Sequence, residues 1–289
     1  MPDKNFELEK SITEDVTRAI NEDVRTGDLT AMLIPEDARG TARVIARQPG
    51  VIAGREWFER CFTEVDPDCE LFWHVEDGDS VGADMQICEL TGPARALLTA
   101  ERAALNFLQT LSAVATRTRA YVKAVDGTGA KILDTRKTLP GLRLAQKYAV
   151  RAGGGFNHRT GLFDGILIKE NHIMAAGGIR PALAAAFALV QHQAPRDTMI
   201  EIEVETLAQL REALDCGAKL VLLDNMPVAM LREAVGIAAA FKDVELEASG
   251  GVNLQSVRGI AETGVQRISV GSLTKDIVAL DLSMRFTMH

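Results

Sequence analysis

Residues 199–224, MIEIEVETLAQLREALDCGAKLVLLD, decide the fold. The first six residues alternate apolar and acidic side chains, the period of an extended strand. An alanine- and leucine-rich segment over 206–216 follows with helical character, and 219–224 is a second apolar run that ends on Asp224. Two strands joined through one helix run parallel, because the crossover returns the chain to the same end of the sheet.

The same alternation extends to both sides. Short strand-like runs occur at 130–134 (AKILD), 165–169 (GILIK), 244–248 (VELEA) and 267–271 (RISVG), with helical segments over 141–152, 178–191, 227–241 and 253–263. The expected fold is therefore α/β, with a six-stranded parallel sheet that is closed into a barrel or doubly wound; six strands are two short of the common closed barrel. Upstream the rhythm differs. Residues 8–20 read as helix, 41–47 (TARVIAR) and 69–75 (CELFWHV) as half-buried strands around a helical GREWFERCFTEV, and another strand falls near 84–90. Ala94 opens a long helix, and the tail LDLSMRFTMH alternates once more. The expected division is an N-terminal α+β sandwich domain over 1–114, joined by the tail 275–289, and a barrel domain over 115–274.

Composition narrows the function. A formal net charge of −8 argues against a general nucleic-acid or membrane-surface binder, which usually carries a basic surplus. The first twenty residues have acids where a signal peptide needs a basic and then an apolar run, and no apolar stretch is long enough for a membrane span. Cys61, Cys69, Cys88 and Cys216 have no CxxC spacing and read as reduced, packed thiols of a cytoplasmic protein.

In a parallel barrel, chemistry sits at the carboxyl ends of the strands. Those ends read Asp134-Thr135-Arg136-Lys137, Lys169-Glu170-Asn171-His172, Glu203, Asp224-Asn225, Ser249-Gly250-Gly251 and Gly271-Ser272. All six are polar, charged or glycine-rich. Ser249-Gly250-Gly251 and Gly271-Ser272 offer backbone N–H groups to an anion, and the late strands are where barrel phosphate sites usually lie. Glu203 and Asp224, on neighbouring strands, are candidates to hold a Mg²⁺–phosphate–sugar assembly. Glu201 and Glu205 read as salt-bridged or solvated. From Lys131 to His172 there are eight Lys/Arg against three acids, a cationic segment in an acidic protein. Arg143, Lys147 and Arg151 share a helical face and read as a solvated stripe. Arg136, Lys137, His158, Arg159 and Lys169 lie in loops or at strand ends, where they can converge on carboxylates or phosphates.

The runs ERAALNFLQ, DTRKTLPGLR, GGGFNHRTGLFDGILIKENH, EIEVETL, LLDNM and EASGGVN, with GDLT near the start and LDLSMRF at the end, resemble bacterial quinolinate phosphoribosyltransferases over nearly the whole chain. The resemblance implies a type II phosphoribosyltransferase of NAD biosynthesis, with an N-terminal sandwich domain and an incomplete, about six-stranded parallel α/β barrel. It would join quinolinate to 5-phosphoribosyl-1-pyrophosphate with Mg²⁺, giving nicotinate mononucleotide, pyrophosphate and CO₂. It also implies a homodimer in which Arg102 enters the partner's site. Arg136, His158, Arg159 and Lys169 would surround the quinolinate carboxylates with help from Thr135. Lys137 and His172 would face the pyrophosphate, and Glu203 and Asp224 the ribose and metal, with Lys137, Glu203 and Asp224 as the catalytic set. Ser249, Gly250, Gly251, Gly271 and Ser272 would cradle the 5-phosphate.

Three rival readings differ in chemistry. A related transferase would act on another pyridine such as nicotinate. A Schiff-base barrel lyase would use Lys169 as nucleophile. A binding protein would keep the phosphate site without turnover.

Overall fold

The computed structural model describes residues 4–195 and 197–289, and the chain forms two compact units. One comprises the chain up to Arg119 together with Thr138–Gly154 and Leu273–His289; the other comprises Ala120–Lys137 and Gly155–Ser272.

In the first unit, α1 (Lys4–Val24) leads to β1 (Arg39–Ala46), β2 (Gly50–Val51), α2 (Arg55–Val65), β3 (Glu70–Trp73), β4 (Ser80–Val81) and β5 (Gln86–Pro93). The C-terminal strand Leu282–Met288 pairs antiparallel with β1, whose other edge pairs with β5, and β3 closes the four-stranded sheet. The alternating tail thus returns to the N-terminal sheet. Burial alternates along β1, with Ala42, Val44 and Ala46 facing the core. Trp57, Phe58, Cys61 and Phe62 on α2 are buried, and the Trp57 indole N–H donates to Asp15 at 3.1 Å. Burial pushes the Cys61 thiol up to about 12 and the Cys69 thiol up to about 11, which suits packed, unreactive groups. The long helix α3 spans Ala94–Ala124. In α4 (Arg143–Ala152), Lys147 is buried, Arg143 is half-buried and only Arg151 is exposed, so the expected solvated stripe is not one. Helical spacing places three residues on one face without saying whether a neighbour covers that face.

In the second unit, β6 (Lys131–Leu133), β7 (Gly165–Ile168), β8 (Met199–Val204), β9 (Leu220–Asp224), β10 (Glu245–Ser249) and β11 (Arg267–Ser269) form one parallel sheet in the order β6-β11-β10-β9-β8-β7. Consecutive strands β6 and β7 stand at opposite edges. The outer edge of β6 is taken by Phe156, which exchanges backbone bonds with Ile132 and Asp134 at 2.8 and 3.1 Å. The six-stranded parallel architecture expected from the strand–helix alternation is therefore present.

Helices α5 (Glu170–Ala176), α6 (Ile179–His192), α7 (Leu207–Asp215), α8 (Val228–Ala238) and α9 (Val257–Ala261) follow their strands. Two local expectations change. The segment after Lys169 is helical, where the sequence had suggested only a polar strand end. The helix expected over 253–263 is regular only over Val257–Ala261. Ahead of it Asn253 makes a capped turn, its Oδ1 accepting from the N–H groups of Gln255 and Ser256, both at 3.0 Å, and its carbonyl from the Val257 N–H at 2.9 Å. No single described helix is long and apolar enough to cross a membrane.

Candidate active site

The strand ends of the second unit carry the polar residues that the alternation pointed to, in two tiers. The outer tier is half-exposed. Thr135 Oγ1 accepts from the Lys137 N–H at 3.0 Å, folding the chain back just after β6. Lys137 then lies against Gly271, where a built Cβ would stand 3.1 Å from Lys137 Cδ. Tyr121 and Ser272 share a hydroxyl contact of 3.2 Å. Lys169 donates to Glu203, pairing the ends of β7 and β8. His172 Nδ1 accepts from the Lys169 N–H at 3.0 Å, which fixes its ring at the start of α5.

Asp224 and Asn225 join the end of β9 to that of β10. Asn225 Nδ2 donates to Asp224 Oδ2 at 2.7 Å, and the Asn225 N–H donates to the Ser249 carbonyl at 2.9 Å. Asn225 sits at φ 54°, a left-handed conformation that asparagine tolerates better than most residues. Gly250 is at φ 99°, and a Cβ there would fall 2.1 Å from Asn225 Oδ1. Glycine is thus required twice over, by backbone conformation and by close approach.

Beneath this rim lies a buried tier built around His158, whose partners the sequence reading did not identify. Glu201 is fully buried, and His158, 8% exposed, donates from Nε2 to its Oε2 at 2.6 Å. Glu247, also fully buried, places Oε1 3.6 Å from the same nitrogen and binds the Arg267 guanidinium through Oε2 at 2.8 Å. Asp134, at the end of β6, accepts from the His158 N–H at 3.0 Å and from Asn157 Nδ2 at 2.5 Å. His158 therefore reaches from the edge of β6 to carboxylates on both β8 and β10, which requires the sheet to curl around it.

The electrostatics follow from this packing. Burial raises the Glu247 carboxyl above its ordinary range and the Glu201 charge raises it further, opposed by His158 and Arg267. Burial, with the Arg136 guanidinium close by, lowers Arg159, so two predicted substrate cations do lie near each other. Asp164 holds the loop between them and β7. Burial would raise its carboxyl, but N–H groups of Gly161 and Thr160 at 2.9 and 2.7 Å outweigh burial and lower it.

His158, Glu201 and Glu247 present ligand atoms within 4.8 Å of one another, close enough to suggest a cation. The protons argue otherwise. His158 Nδ1 accepts from the Arg159 N–H at 2.8 Å, so the neutral ring carries its proton on Nε2, the atom a metal would need. Arg267 already supplies the positive charge at Glu247. Glu203 and Asp224, hard oxygen donors, lie on the adjacent strands β8 and β9.

The structure thus brings together Thr135 and Lys137 with Gly271, Arg136 with Arg159, Lys169 with Glu203, and Asp224 with Ser249 and Gly250. Gly251, at φ 58°, continues the last turn. Arg102 belongs to the other unit, exposed on α3. Glu247 and Arg267 have no place in the sequence reading, while Glu201 is read there as salt-bridged or solvated and Asp134 and Asn225 only as strand ends. Their signal was present in the charged residues placed at alternate positions of strands otherwise rich in Ile, Leu and Val.

Convergent cations and glycine turns at the ends of a parallel sheet define an α/β enzyme for anionic, phosphorylated substrates. Residues 23–112 match the quinolinate phosphoribosyl transferase N-terminal domain, and residues 114–285 match its C-terminal domain. The probable nicotinate-nucleotide pyrophosphorylase [carboxylating] of Bacillus subtilis is 44% identical over 267 residues, covering 92% of this chain and 90% of that protein. The Mycobacterium leprae nicotinate-nucleotide pyrophosphorylase [carboxylating] is 43% identical over 276 residues, covering 93% and 95%. The solved nicotinate-nucleotide pyrophosphorylase from Francisella tularensis superposes with a TM-score of 0.91 at 44% identity, over 96% of each chain. The chain belongs to the quinolinate phosphoribosyltransferase family.

Proposed function

We infer that the protein transfers the phosphoribosyl group of 5-phosphoribosyl-1-pyrophosphate to quinolinate with decarboxylation, releasing nicotinate mononucleotide, pyrophosphate and CO₂. The observation that carries this reading is the proximity of Arg136 and Arg159, together with the glycine turns at Ser249–Gly251 and Gly271 that suit a phosphate. Two clustered guanidiniums suit a dicarboxylate better than a neutral ring.

Arg136, Arg159 and Lys169 bind the quinolinate carboxylates, with Thr135 and His158 completing the pocket. Lys137 and His172 face the pyrophosphate, and Ser249, Gly250, Gly251, Gly271 and Ser272 receive the 5-phosphate. The pyridine nitrogen attacks the anomeric carbon as the bond to pyrophosphate breaks. Positive charge builds on the ribose in that step, and Glu203 and Asp224 stabilise it. Loss of the carboxylate next to the ring nitrogen leaves its electron pair on a carbon beside the cationic pyridinium, where a proton then adds. Glu203 and Asp224 would hold Mg²⁺, which when bound neutralises the leaving pyrophosphate. The protein's largest contribution is placement of the two substrates.

A homodimer, with Arg102 given to the partner's site, fits an exposed arginine on an otherwise well-packed helix. Mixing inactive Arg102→Ala and Lys169→Ala dimers should restore part of the activity through hybrid sites. Subunit exchange without any recovery contradicts the shared site. Chelation should stop pyrophosphate release, and added Mg²⁺ should restore it without a change in melting temperature. The Schiff-base alternative is poorly served, because the Lys169 side chain is 48% exposed and ion-paired to Glu203, whereas such an amine needs a desolvated pocket. The substrate test compares quinolinate with nicotinate in pyrophosphate release from phosphoribosyl pyrophosphate. Turnover of nicotinate alone would overturn the assignment.

A further inference from the structure

We propose that Glu201 is the positioning residue of the carboxylate pocket, setting His158 and, through it, the backbone of Arg159. This rests on the quinolinate reading and adds to it a residue that touches neither substrate.

Proton direction links the three residues. The Arg159 N–H points at His158 Nδ1 at 2.8 Å, so that nitrogen is an acceptor and the ring proton is on Nε2. Glu201 Oε2 receives that proton at 2.6 Å from a fully buried position on β8. Each bond fixes the other: the carboxylate selects the Nε2–H tautomer, and that tautomer leaves Nδ1 free to hold the Arg159 N–H. The His158 backbone is pinned separately by Asp134 at 3.0 Å. Arg159 is held again at its far end, where its guanidinium donates to the Gly165 carbonyl at 3.1 Å. A residue secured at both backbone and side chain presents its cation in one place, as recognition of a rigid dicarboxylate requires.

Glu247 and Arg267 complete the buried layer. Arg267 binds Glu247 at 2.8 Å and lies 3.6 Å from Glu245, so it draws Glu247 away from His158 and leaves Glu201 as the closer acceptor. A carboxylate so deeply buried on an inward strand face is costly unless it has a task, and holding this imidazole supplies one.

The test uses the full chain with Glu201→Ala and Glu201→Gln. The glutamine amide oxygen can still accept from Nε2–H, whereas alanine removes the acceptor. Removing a hydrogen bond to a charged group should raise the KM for quinolinate in Glu201→Ala by roughly tenfold to a hundredfold. The KM for phosphoribosyl pyrophosphate should stay within about twofold, and Glu201→Gln should recover most of the loss. Nuclear magnetic resonance of the imidazole N–H protons gives a readout independent of turnover. The chain has five histidines, and the signal missing from His158→Gln assigns the one of interest. Wild type should show a downfield, exchange-protected Nε2–H resonance that Glu201→Gln retains and Glu201→Ala loses. The proposal is overturned if that resonance survives in Glu201→Ala, if both KM values rise together, or if glutamine rescues nothing. Failure of the wild type to use quinolinate would refute the substrate reading alone, because the resonance would still decide the role of Glu201.

Discussion

The rim and the buried tier beneath it use the same kinds of side chain for opposite ends. At the rim, the Lys169–Glu203 pair leaves its lysine 48% exposed, and Asp224 is half-buried beside Asn225. One layer down, Glu201 and Glu247 are wholly buried against His158 and Arg267. An exposed pair contributes little to stability and can exchange its partner for substrate. A buried pair cannot let go without leaving a charge stranded in a poor solvent. Substitutions at the rim should therefore cost function alone, and those in the layer below should cost stability as well.

The largest expected effect falls on the buried layer. Glu247→Ala should lower unfolding free energy by about 3 kcal/mol in a denaturant titration, the low end for a broken buried pair because Glu245 keeps some hold on Arg267. An unchanged midpoint would erase the distinction between the tiers. At the rim, Asp224→Asn should lower kcat roughly a hundredfold, as expected for loss of one electrostatic stabiliser, with little change in stability. Gly250→Ala comes next, since its Cβ would meet Asn225 Oδ1 and its φ of 99° disfavours a side chain. It should raise the KM for phosphoribosyl pyrophosphate about tenfold while leaving the quinolinate KM nearly unchanged, a split visible in steady-state kinetics.

The smallest effect sharpens the comparison by pH. The Asp164 carboxyl is held below its ordinary value of 3.8 by the Gly161 and Thr160 N–H groups, against the opposing pull of burial. Its contribution is therefore present above that value and lost as pH falls through the lower folded-state value. Asp164→Asn should cost about 1 kcal/mol at neutral pH, and the gap to wild type should close below about pH 4.

The rim was legible in the sequence and the buried tier was not, for a physical reason. Strand ends announce themselves, because an apolar run stops at Asp134, Lys169, Asp224 or Ser249. Six such stops at regular spacing gave both the parallel sheet and the side where its chemistry lies. Glu201 and Glu247 stand inside strands, where alternation assigns a face without saying whether that face meets water or the interior of a curled sheet. Pairing Glu201 with His158 also joins residues 43 apart in sequence, a contact that no local pattern contains. Lys147 follows the same logic, since helical spacing gives it a face and the structure buries that position. Asn253 shows the converse, since periodicity ran the helix through 253–256, where a capped turn leads into the regular helix at Val257.

The central claim is that two substrates meet at this rim and one loses a carboxylate there. The direct measurement uses quinolinate labelled in the carboxylate next to the ring nitrogen, with phosphoribosyl pyrophosphate and Mg²⁺. Labelled CO₂ and pyrophosphate are then counted in the same reaction. The account predicts equal amounts of the two, with neither formed when either substrate is omitted. Pyrophosphate released without labelled CO₂ would contradict it.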